Sequence, residues 1–142
     1  MSVLPPDVSA FIAGARVGRL ATADRTGQPL VVPICYAWDG EALVTAIDAK
    51  PKRAGDLKRV RNIRENPKVS VVIDHYDEDW RRLRWVIIQG LAELITAGRD
   101  LAAGVDLLLS KYPQYRDLEL SCERGTVIRI KPGKVLQWRF AS

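Results

Sequence analysis

From residue 17 onward the chain is cut into short apolar, β-branched runs, each closed within a few positions by a Gly, Pro, Asp or Asn signal. Residues 17–23, 30–38, 42–47, 68–74, 84–93, 126–130 and 135–140 all read as strands on this pattern. Asp39-Gly40 is a two-residue hairpin signal, Gly27 supplies a permissive backbone position in the turn at 24–28, and Pro132-Gly133 separates the last two runs. Six or seven strands at such short intervals, with few helices between them, predict a mainly β fold. The expected form is an antiparallel barrel or sandwich with peripheral helices, in one domain over residues 1–142. The pattern is not βαβ throughout and holds no G-x-G-x-x-G, which argues against a Rossmann fold.

Two positions inside these runs call for a special backbone. Pro33 has no N–H to give a ladder, so it marks an edge, a bulge, or a place where something other than a strand approaches. Gly90 reads as a bulge or a point of close approach. Three segments have helical periodicity instead. Residues 6–15 carry Val8, Phe11 and Ile12 on one stripe, with Asp7 or Ser9 as candidate caps. Residues 54–65 turn Leu57, Val60 and Ile63 inward before Asn66-Pro67 stops them. Residues 96–112 align Leu101, Val105, Leu108, Leu109 and Tyr112 before Pro113.

The formal net charge is +5, and much of the excess lies in residues 50–64, where seven of fifteen positions are basic against a single acid, Asp56. A strand ending near Ile47 runs through a Pro-containing turn into a helix start at this point. Such a corner places free backbone N–H groups beside Lys50, Lys52 and Arg53, an arrangement suited to an anion. Clustering at one turn favours an anionic small molecule over a broad polyanion surface, and the phosphate of a flavin-like cofactor fits it. A solvated basic helix would carry the same composition.

Other chemistry is thinly represented. His75 is the one histidine, and no serine stands in a nucleophile-elbow context. No ligand spacing joins His75 to Cys35 and Cys122, and the acids Asp74, Asp77, Glu78 and Asp79 lack the spacing of a calcium loop, so no metal site is expected. Cys35 lies within an apolar run and is expected as a free, buried thiol. No residue is singled out as catalytic. The chain has no signal-peptide pattern and no apolar run near the roughly 18 residues of a membrane span, so a cytoplasmic protein is expected. Few acids and bases with many cations and four tryptophans suit a protein whose cofactor carries the reaction.

The segment 18–74 resembles the pyridoxamine 5′-phosphate oxidase-like split-barrel family. The resemblance is carried by Leu20-Ala21-Thr22, the D-x-x-G-x-P turn at 24–29, Val32-Pro33 and the Asp39-Gly40 hairpin. The K-rich turn at 50–57 and N-P-x-V-S at 66–70 complete it. Lys50-Pro51-Lys52-Arg53 and the D-H-Y-D-E-D-W run ending at Trp80 are similar to the small actinobacterial branch that uses the deazaflavin coenzyme F420. This resemblance implies an FMN-binding-type split β-barrel and a homodimer with one cofactor in each groove between subunits. It places the cofactor phosphate against Lys52 and Arg53, with Lys50 close by, and the ring along Val32, Pro33, Ile34 and Thr45. Trp80 or Trp85 of the other subunit would close the ring site. The surplus cations Lys58, Arg59, Arg61 and Arg64 have a reason in the oligoglutamate tail of F420, or serve solubility alone. Pyridoxamine 5′-phosphate oxidases proper carry a longer C-terminal segment, and the WRFAS end shows nothing comparable, so pyridoxal synthesis is not the expected activity.

The implied function is hydride transfer between F420 and a small unsaturated substrate. The alternatives are an FMN-dependent reductase on the same fold and a non-catalytic carrier of a flavin, F420 or haem. Nucleic-acid binding through the basic helix is the remaining reading.

Overall fold

The computed structural model describes residues 3–47, 57–118, 120–121 and 125–140. Among them, seven strands form one antiparallel sheet: β1 (Gly18–Ala23), β2 (Pro29–Ile34), β3 (Ala37–Trp38), β4 (Leu43–Ile47), β5 (Lys68–His75), β6 (Arg84–Ile95) and β7 (Thr126–Arg139). Their order is β2-β1-β5-β6-β7-β4-β3. β2 and β3 stand at opposite ends of that order, yet only Cys35 and Tyr36 separate them in the chain. Two residues span less than 10 Å or so, so the sheet must curl until its two ends meet. The result is a split β-barrel, as expected.

The curl is made by the two longest strands. The first part of β6, from Arg84 to Leu91, pairs with β5 from His75 to Lys68, whereas the first part of β7, from Thr126 to Ile130, pairs with β4. β6 and β7 pair along their whole lengths, but their register slips between Gln89 and Gly90: Gln89 faces Lys134 and Gly90 faces Pro132. Gly133 is the extra residue. The Pro132-Gly133 turn expected between two closing strands is therefore absent; one strand, β7, runs through both segments and bulges there. A Pro-Gly pair ends a strand only when the chain reverses, and here β6 alongside keeps it extended. Gly90 is the bulge position its sequence context predicts. A Cβ there would stand 2.1 Å from the Lys131 carbonyl oxygen, so only glycine fits.

The second expected strand ends at Ile34, not at residue 38. Pro33 lies on β2, the edge strand, in unbroken register opposite Arg19. Its nitrogen, with no hydrogen, must face the open side, because the side toward β1 continues as a ladder. The Asp39-Gly40 hairpin forms as expected, with Gly40 at φ 97° and Asp39 Oδ1 accepting from the N–H groups of Glu41 and Ala42, both at 2.7 Å.

Inward positions of the strands supply the main core: Leu20, Val69, Val71, Ile73, Val86, Ile88, Ile128 and Ile130. α1 (Pro6–Gly14) plugs it with Val8 and Ile12, and α2 (Lys58–Glu65) adds Ile63. Neither Asp7 nor Ser9 caps α1; Pro5 holds the N-cap position with no side-chain bond, and a Pro-Pro start presets the first turn instead. α3 (Gly98–Lys111) packs Leu101, Val105 and Leu108 against Val44, Ala46 and Val127 on the other face of β4 and β7. That is why all of β4 up to Ala46 is buried: it has a layer on both sides. Gly104 lets α3 approach, since a Cβ there would already lie 3.2 Å from Val127.

Candidate functional site

The expected ring residues fall where the curled sheet closes. Thr45 on β4 is buried, and its hydroxyl donates to the carbonyl oxygen of Cys35 at 2.7 Å, which ties β4 to the end of β2. Ile34 turns its side chain into the core and Val32 packs half-buried against it. Pro33 and Val31 face outward, Val31 with 61% of its surface exposed. What this seam can offer a ligand is therefore the open backbone edge of β2 and the outward Pro33 face. That is a surface a flat ring can lie along, because Pro33 has no N–H to lose to it.

Lys50, Lys52 and Arg53, the expected phosphate grip, lie outside the described residues, as do residues 54–56 of the expected helix. Their neighbours are informative. Lys58 pairs with Asp24 at 3.5 Å, and Arg25 reaches Glu65 with both its backbone N–H and its Nε at 3.1 Å. These pairs lash α2 to the β1–β2 turn. Asp24 also accepts from the Thr26 hydroxyl, the Gln28 N–H and the Thr26 N–H, and the Thr26 hydroxyl above all brings its pKa down to about 2. Lys58 is thus an internal tether, while Arg61 and Arg64 remain exposed.

Trp80 opens a 3-10 turn, Trp80–Arg82, between β5 and β6, and is 61% exposed. Asp79 caps this turn and is gripped by the Arg81 guanidinium at 2.9 and 3.0 Å. The turn lies at the end of the sheet toward which β2 runs, since Gly18 pairs with Ile34 and Arg19 bonds Asp74. Trp85 is half-buried and stacks on Trp138, with ring centres 6.4 Å apart. His75 is exposed beside Asp77, at 3.8 Å. Among the described residues no three His, Cys, Asp or Glu side chains gather at one point, and no helix is long and apolar enough to cross a membrane.

Cys35 is free, as expected, but exposed where a buried thiol was expected. The apolar run that holds it is broken there by the β2–β3 crossover, where Tyr36 points inward and Cys35 outward. Tyr36 is fully buried and donates its hydroxyl to the Ile12 carbonyl, while its N–H donates to the Tyr112 hydroxyl at 3.3 Å. Lys111 lies over the Tyr36 ring at 4.2 Å and donates to the Ala15 carbonyl at 2.6 Å. Burial, and then the nearby Arg16 charge, lower its pKa to about 8. Sequence reasoning missed this group. A lysine in the last turn of a helix reads as an exposed complement to the helix dipole, and nothing local reveals Tyr36, 75 residues away in sequence, beneath it.

A model of the pyridoxamine 5′-phosphate oxidase family matches residues 4–139. The 5a,11a-dehydrotetracycline/5a,11a-dehydrooxytetracycline reductase of Streptomyces rimosus is 28% identical over 130 residues, covering 90% of this chain and 78% of that one. Among solved structures, an FAD-binding protein of Mesorhizobium loti superposes with a TM-score of 0.72 at 26% identity, covering 92% of this chain and 89% of its own. An F420 reductase superposes with a TM-score of 0.66 at 24% identity, covering 94% and 98%. With a family model spanning nearly its whole length and the split barrel in place, the chain belongs to the pyridoxamine 5′-phosphate oxidase family.

Proposed function

We propose that the protein is a reductase that binds F420 at a subunit seam and delivers a hydride to a small unsaturated substrate. The observation that carries the oxidoreductase reading is the 28% identity to a reductase over 90% of the chain. The choice of F420 is supported by the sequence run Lys50-Pro51-Lys52-Arg53 and the acidic run ending at Trp80. Bound F420 would supply a hydride from its C5 position. The chain's own part is to hold and orient: Lys52 and Arg53, with Lys50, take the phosphate through charge-assisted hydrogen bonds, and Pro33 with the backbone of Val32 and Ile34 gives the ring its flat bed. Thr45 fixes that bed by its bond to Cys35. Exposed Arg61 and Arg64 remain for the anionic tail. The proton that balances the hydride comes from water.

Two copies of the chain complete the site in this reading. β4 pairs with β7 only as far as Ile130, so from Lys131 on β7 has β6 on one side and no strand on the other among the described residues. This open edge carries Leu136, Trp138 and Phe140, all exposed. Uncovered aromatic strand edges invite a partner, and Trp80 of the second subunit is then available as a wall of the ring site.

A flavin on the same fold is the second reading, favoured by the 26% identity to an FAD-binding protein. Titrating the purified protein with F420, FMN and FAD separates the two, with tighter binding of F420 expected; preference for FMN or FAD overturns the assignment. Turnover with quinone and enone acceptors, expected here, separates a reductase from a carrier of flavin, F420 or haem.

A further inference from the structure

The outward face of the sheet holds a groove of about 540 Å³ at the β6–β7 bulge. The strand register shows how it is built. One cross-strand row runs Val31, Ala21, Ser70, Gln89, Lys134 through β2, β1, β5, β6 and β7. A second row, one pleat along, begins with Pro29 opposite Ala23, and Lys68 opposite Leu91 continues it on β5 and β6. The middle of the floor is therefore Ala21, Ala23 and Ser70, shallow because those side chains are short. Gly90 and Gly133 leave the bulge end without side chains at all.

The charged groups stand at the rim of this shelf, with the Ser70 hydroxyl the polar group on its floor. Among the described residues the side chains of Lys68, Lys134, Ser70 and Gln89 have no hydrogen-bond or ion-pair partner, unlike Lys58 and Arg25 close by, which are tied to acids. Lys68 and Lys134 are two strand spacings apart across the sheet and two residues apart along it, so their Cα atoms are roughly 12 Å apart. Each side chain reaches about half that distance, so both ammonium groups can meet one anion above the shelf. Every lining residue among the described ones lies on a strand, and no helix start is among them. Among the described residues the charged groups an anion meets here are the two ammonium groups, not a helix start of the kind phosphate sites use.

We propose that this groove binds a planar, apolar molecule carrying a carboxylate, laid flat on Ala21, Ala23 and Ser70 with its acid between Lys68 and Lys134. Of β2 the groove takes in only Pro29, four residues and roughly 13 Å along the strand from Pro33, so it stands apart from the expected ring bed and does not rest on the reductase reading.

The test uses cinnamate as the probe and cinnamyl alcohol as its uncharged counterpart, followed by amide NMR shifts of the whole protein without cofactor. Saturable cinnamate shifts centred on Ala21, Ser70, Gln89 and Lys134 are expected, with at least about fivefold weaker binding of the alcohol and of cinnamate to Lys68→Gln/Lys134→Gln. Ser70→Trp, which fills the shelf, should abolish the shifts while thermal unfolding of both variants shows the fold retained. Equal binding of the alcohol, equal binding by the lysine double variant, or shifts centred elsewhere would overturn the proposal. So would groove amides that ignore cinnamate but move on protein dilution, which would mean a second copy of the chain covers the face. An F420 titration run beside it keeps the readings apart. Cinnamate binding without F420 binding supports the groove and removes the cofactor, and F420 binding without cinnamate binding removes the groove.

Discussion

Gly90 on β6 lies so close to Lys131 on β7 that a Cβ would stand 2.1 Å from the Lys131 carbonyl oxygen and 2.9 Å from its carbon. This contact sets the bend that lets two long strands serve both halves of the barrel. Both offending atoms are backbone, so neither can swing aside.

Gly90→Ala is therefore expected to destabilise the protein by about 3 kcal/mol, at or above the upper end of ordinary overpacking. Gly133→Ala on the facing strand should cost much less, because its added Cβ would meet only the Gln89 oxygen, at 3.7 Å. Urea unfolding of the two variants checks the order, and equal midpoints would remove the bulge as the structural pivot.

Most of the barrel was legible from sequence because it rests on local signals. The Asp39-Gly40 hairpin, the Gly90 bulge and the edge position of Pro33 each follow from what one residue's backbone can or cannot do. The Pro132-Gly133 turn failed for the complementary reason: whether such a pair reverses the chain depends on β6 alongside, a partner some 40 residues distant in sequence. Cys35 was misjudged because a run of apolar residues does not show where the chain leaves one sheet end for the other. The ring bed was legible as a seam only through Pro33; its tie, Thr45 to Cys35, joins residues ten apart across two strands.

Asp24 gives a prediction at low pH. Its pKa is lowered to about 2 in the folded protein, chiefly by the Thr26 hydroxyl and then the Gln28 N–H. The stabilisation is fully present above the usual carboxylate value near 3.8 and is lost as pH falls through about 2. Asp24→Asn should remove that part of the acid dependence, so unfolding midpoints of the two proteins should converge between pH 4 and pH 2, in about the window the two pKa values define. A constant gap across that range would mean that Asp24 is not held ionised by this turn.

Lys111 acts at the other end of the scale and with the opposite sign. Its folded pKa, about 8, lies below the usual 10.5, so between those values the unfolded chain binds more protons than the folded one. The burial penalty on its charged form is present below about pH 8 and is relieved as pH rises toward 10.5. Lys111→Met removes the titrating group and keeps the stem over Tyr36. The wild-type protein should gain stability relative to this variant between pH 8 and pH 10, roughly the window of the shift; parallel profiles would contradict the assignment.

A cofactor grip by residues 50–53 is open to a single titration. F420 is added to the wild-type protein and to Lys52→Ala/Arg53→Ala, with deazaflavin fluorescence as the signal and thermal unfolding as the control for fold. Binding should be more than about tenfold weaker in the double variant, as expected when two charge-assisted phosphate contacts are lost, with the unfolding midpoint unchanged. Equal affinity in the two proteins, or no F420 binding by the wild type, would contradict it.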